Sequence, residues 1–107
     1  MSKDRSNPWR DRQDLHAVVG RVAAAFLLTE LHNGRALLDT IEASADRDAD
    51  ERRRSLAVQA YDVVAERLAR TGDQAPALTA AARDDITRRL EELRLRLERD
   101  EKRRRKG

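Results

Sequence analysis

Apolar positions recur along most of the chain at steps of three and four, the spacing of an amphipathic helix. The first run is Leu15, Val18/Val19, Val22 and Phe26, continuing through Leu27, Leu31, Gly34, Leu38, Ile41 and Ala45. Asn7 suits an N-cap and Pro8 the first helical position, where a missing N–H costs nothing. The spacing therefore predicts a helix over 8–45, about 57 Å long at 1.5 Å per residue. Asn33-Gly34 is a turn signal, and a break there, giving four helices, is the alternative. Continuity is expected because the stripe keeps its phase through Gly34. That places Gly34 on the buried face, where the missing side chain lets another helix come close.

The polar stretch Ser44–Glu51 ends this helix and opens the next, its acids complementing the positive helix N-terminus. The second helix presents Ala57, Ala60/Tyr61, Val64 and Leu68, flanked by Leu56 and Val63, and is expected to stop at Thr71-Gly72. Tyr61 is expected in the core with its hydroxyl at the surface. The short connection through Pro76 makes the second and third helices antiparallel neighbours. Thr79 is the expected cap of the third helix, whose stripe is Ala82, Ile86, Leu90, Leu93 and Leu97. Glu92/Arg96, Glu98/Lys102, Asp100/Arg104 and Glu101/Arg105 are acid-first pairs four apart, each worth about 0.2–0.5 kcal/mol. Lys102–Gly107 contains no apolar residue and is expected to fray. The expectation is an all-α antiparallel three-helix bundle over 8–101, with a disordered 1–7 and a basic disordered tail at 102–107.

The helices differ in length. At the same rise the second spans about 30 Å and the third about 40 Å, so part of the first is left uncovered. That part runs from Val18 to Leu28 and is apolar on several sides, which requires burial on several sides. Val18, Val22, Phe26, Leu27 and Leu28 are accordingly the candidate interface, for a homodimer or a partner helix.

Composition supports this picture. The 107 residues suffice for one domain, and 17 Ala, 13 Leu, 20 Arg and 8 Glu favour helix, with only 4 Gly and 2 Pro. The chain has no cysteine, which removes disulfides, thiolate metal sites and cysteine nucleophiles. The longest clean apolar run, Val22–Leu28, is far short of a membrane span, and the polar N-terminal stretch does not read as a leader. A cytoplasmic protein is expected, and 20 Arg against 3 Lys suggests a GC-rich bacterial genome. His16 and His32 lie sixteen apart without ligands at metal-site spacing, and Glu30 reads as an outward or Arg-paired carboxylate rather than an acid catalyst. No phosphate loop, nucleophile elbow or zinc-protease pattern occurs. No catalytic, cofactor, metal or small-molecule site is expected.

Charge supplies the alternative reading. The ends of the chain are basic and the middle acidic, and Lys102, Arg103, Arg104, Arg105 and Lys106 form a candidate anion-binding tail for nucleic acid. The three aromatics, Trp9, Phe26 and Tyr61, are scattered and form no stacking set; Trp9 is expected to cap the bundle end.

Thr29-Glu30-Leu31…Gly34, Ala57 through Val64, and Leu78-Thr79 opening a helix that ends Leu90–Leu97 resemble small bacterial all-helical proteins of tetratricopeptide-like helical-hairpin character. Ala57 and Tyr61 match the repeat's Ala-x3-Phe spacing, with Tyr for Phe. The resemblance implies a helical scaffold for protein contacts.

Overall fold

The computed structural model describes residues 8–106, with side chains from Leu15 onward. It is an all-α bundle of three helices: α1 (Pro8–Ala43), α2 (Arg47–Ala69) and α3 (Ala80–Lys106), with one 3-10 turn at Gly72–Gln74. Asn7, the segment 1–7 and the side chain of Trp9 lie outside the described residues.

α1 runs unbroken through Asn33-Gly34. A Cβ built on Gly34 would lie 3.0 Å from a Leu93 methyl and 3.5 Å from the Ala60 Cβ, so the hydrogen there is what lets α2 and α3 close on α1. Leu93 is itself completely buried and has little room to yield. Gly34→Val is therefore expected to destabilise the bundle by about 1–3 kcal/mol through overpacking, read as a lowered thermal midpoint with helix content retained.

The ends of the helices are set locally. The Ser44 hydroxyl accepts from the Asp46 N–H, and the Asp46 carboxylate caps α2 by accepting from the Ala49 N–H at 3.1 Å. α1 thus ends at Ala43, two residues before its expected end. α2 ends at Ala69, with Arg70 extended, ahead of the expected stop; Gly72, at φ 62°, opens the 3-10 turn instead. Arg83 of α3 reaches back to the Leu68 carbonyl at 3.4 Å, one of the acceptors that the end of α2 leaves unpaired. The Thr79 hydroxyl caps α3 by accepting from the Ala82 N–H at 3.1 Å.

Cross-helix pairs give the directions. Phe26 meets Arg67 and Gly34 meets Ala60, so α2 runs against α1. Arg35 meets Glu92 while Asp39 and Glu42 meet Arg96, so α3 runs with α1. The core is Leu27, Leu31, Leu38 and Ile41 of α1, Ala57 and Val64 of α2, and Ile86 and Leu93 of α3. Tyr61 is half-buried against it.

The surface of α3 departs from the expected pairs. Asp100/Arg104 and Glu101/Arg105 form, but Arg96 crosses to α1, and Glu98 pairs backwards with Arg94. The segment expected as a disordered tail is helical through Lys106. Its physical support is charge: Arg103, Arg104 and Arg105 each find a carboxylate on Asp100, Glu51 or Glu101, and the cationic last turn suits the negative helix C-terminus.

Between α2 and α3, Arg54 and Asp100 form an ion pair between side chains 12% and 5% exposed. Arg54 also pairs with Glu51 at 3.0 Å, and Asp100 accepts from Arg103 at 3.1 Å. Burial pushes the Asp100 carboxyl up, but hydrogen bonds from Arg54 and Arg103 outweigh it and hold the group below the usual carboxylate range.

Candidate functional site

The three helices are staggered. α1 is about 54 Å long by its 36 residues, and the α2–α3 connection meets it only at Gly20, where a Cβ would lie 2.4 Å from the Ala77 carbonyl oxygen. This close approach marks the point where α1 leaves the bundle. Upstream of it Leu15, Val18 and Val19 are exposed, while His16 and Ala17 share a groove with Pro76–Thr79.

The expected interface residues straddle this point, Val18 before it and Val22, Phe26, Leu27 and Leu28 after it, and the structure divides them. Val18 and Val22 are exposed at 44% and 63%, and Phe26 at 39%. They share one side of α1 with Leu15 and Val19, also exposed. Phe26 lies where this row reaches α2, with the Arg67 guanidinium 4.9 Å over its ring, a cation–π contact worth about 0.5–1 kcal/mol at an exposed site. Leu27 does not belong to the surface: it is 1% exposed and central to the core, and Leu28 is half-buried against the core. Leu27 is corrected to a core position, because it lies about 100° round the helix from Phe26, on the side that α2 and α3 close, while Leu28, about 200° round, is partly covered.

The five exposed apolar side chains amount to an apolar patch on the order of 400 Å² per copy, within the range of a single chain's largest apolar patch, which is often a functional one. The same excess lets Leu15–Ala43 meet the length and composition of a membrane-crossing helix, with 11% of its most apolar window buried. The absence of an uninterrupted apolar run hid this, since the charges of that stretch are spaced out rather than clustered. Its inner face is nonetheless occupied by α2 and α3 at Leu27, Leu31 and Gly34.

Two grooves adjoin α1. One, of about 720 Å³, lies at the Gly20–Ala77 approach and is walled by small side chains; His16, Arg21 and Thr79 are its polar groups, with no carboxylate to make an acid–base pair. The other, of about 270 Å³, runs between α1 and α2, floored by Leu37, Ala60 and Val63 and rimmed by Glu30, Asn33, Leu56 and Gln59. Sequence reading missed this second groove. Its signal was present in Leu56 and Val63 flanking the main stripe of α2. His16 and His32 are exposed, and among the described residues no three His, Asp or Glu side chains gather as metal ligands would.

At the opposite end, Lys102, Arg103, Arg104, Arg105 and Lys106 are exposed on the last turns of α3. The three arginines are engaged by carboxylates, which lowers the positive charge left for an external anion.

No protein-family model, curated protein or solved structure matches the chain, and nothing there bears on the tetratricopeptide-like resemblance.

Proposed function

We propose that this protein is a non-enzymatic helical interaction module that self-associates, as a dimer, through the N-terminal half of α1. The observation that carries the reading is the row Leu15, Val18, Val19, Val22 and Phe26, exposed together along one side of the N-terminal half of α1. Uncovered apolar area of this size stabilises association once a complementary surface is present. A second copy supplies such a surface without a further partner. The paired state of Arg103, Arg104 and Arg105 makes nucleic acid the less supported ligand.

Light scattering or sedimentation at tens of micromolar protein tests the reading. Twice the 12.2 kDa chain mass is the expected result, and a strict monomer overturns it. Val22→Asp, at a site 63% exposed, is expected to give a monomer that keeps the helix content of the parent.

A further inference from the structure

Leu15, Val18, Val19, Val22 and Phe26 cover an arc of about 100° at the helical repeat, wider than the seam that a two-stranded coiled coil uses. A face of that width fits between two helices rather than against one. The groove between α1 and α2 lies on the same side of the molecule. Asn33 and Leu37, on its α1 wall, continue the line of Leu15 and Phe26 along the helix, and Leu56, at its α2 rim, is 51% exposed.

Resting on the self-association reading, we infer that the two copies pair antiparallel, each laying its projecting segment Leu15–Val22 in the α1/α2 groove of the other. The two-fold axis then falls near Ala24, with Val22 and Phe26 at the centre and Leu15 opposite Asn33 of the second copy. Three observations favour this arrangement. Area is the first: a parallel pair buries the row alone, on the order of 400 Å² per copy, whereas the antiparallel pair also covers Leu37, Leu56 and Val63 and so buries more. Polarity is the second: the apolar row meets an apolar groove floor, and the line through Leu15, Val22, Phe26 and Asn33 carries no charge of α1 itself, Arg67 of α2 bordering it over the Phe26 ring. Charge is the third: in this register Glu30, on the groove rim, comes beside His16 of the second copy, while a parallel pair sets Glu30 against Ala25. The interface is isologous and closes on itself, so association stops at two.

The absence of cysteine allows a direct test. Leu15 and Asn33 are five helical turns apart, about 27 Å within one chain, too far for an internal disulfide. Under mild oxidation the double variant Leu15→Cys/Asn33→Cys is expected to become a covalent dimer, while Leu15→Cys and Asn33→Cys alone remain uncrosslinked. Crosslinking of each single variant to itself shows a parallel pair and overturns the inference, leaving self-association intact. No crosslink in any variant, when light scattering shows a dimer, also overturns it. A monomeric parent protein removes the underlying reading instead. Should the cysteines themselves weaken the pair, a spin label on Thr40→Cys, outside the contact, decides between the two: about 50 Å between labels for the antiparallel dimer and about 10 Å for the parallel one.

Discussion

Leu27→Asp is expected to unfold the protein, while Phe26→Asp, one residue earlier, leaves it folded. Leu27 is 1% exposed, in a core cluster made up of aliphatic side chains. Aspartate there forfeits the transfer free energy of a buried leucine and places a carboxylate where the core offers it no partner. The loss of packing alone is about 2–5 kcal/mol, and the unpaired charge adds several more. The total reaches or exceeds the stability of a chain this size, about 5–10 kcal/mol. Far-UV circular dichroism is expected to show loss of the cooperative thermal transition. At Phe26, 39% exposed, the substitution removes the Arg67 contact, about 0.5–1 kcal/mol, and the transition should persist. A Leu27→Asp variant melting like its parent would show that α1 is packed through another face.

The second large effect is expected at the ion pair that joins α2 to α3. Asp100→Ala removes the partner of Arg54, whose side chain is 12% exposed, and leaves that guanidinium with Glu51 alone. Breaking a pair this buried costs about 2–4 kcal/mol, because desolvation of the remaining charge is no longer offset. Replacing both members together, as in Arg54→Met/Asp100→Leu, should recover most of the loss, since neither charge is then stranded. The pair also sets an acid limit. The folded-state carboxyl of Asp100 lies below its unfolded value, so its contribution is complete above the unfolded carboxylate range. It fades as pH falls through the lowered folded value. Denaturant midpoints followed from pH 6 down to about pH 2 should therefore fall less steeply for Asp100→Ala than for the parent. Parallel curves would show that the pair adds nothing to stability.

Much of the bundle was legible because its information is local. The 3–4 spacing placed all three helices, Thr79 announced the cap of α3, and the phase of Leu31, Gly34 and Leu38 carried α1 through a turn dipeptide. What escaped was decided elsewhere in the chain. From Val22 to Leu28 every position is apolar, so periodicity does not say which side faces inward. That choice is made by Gly20 meeting Ala77 and by the neighbours of Gly34, residues that sequence distance separates widely. Arg54 finds Asp100 across 46 positions, and Arg96 leaves its expected partner on α3 for Asp39 and Glu42 on α1. Spacing within a helix holds no trace of such pairs. The last turns of α3 also escaped, because a lack of apolar anchors was read as disorder where paired charges support a helix.

No side chain buried in the described structure precedes Leu27. The buried contacts that hold the bundle therefore begin at Leu27, while Leu15, Val18 and Val19 on the same helix stay exposed. Substitutions at Leu15, Val18 or Val19 change the exposed face and leave the buried contacts of the three helices in place. Descendants sharing the same three-helix body can diverge in the company they keep.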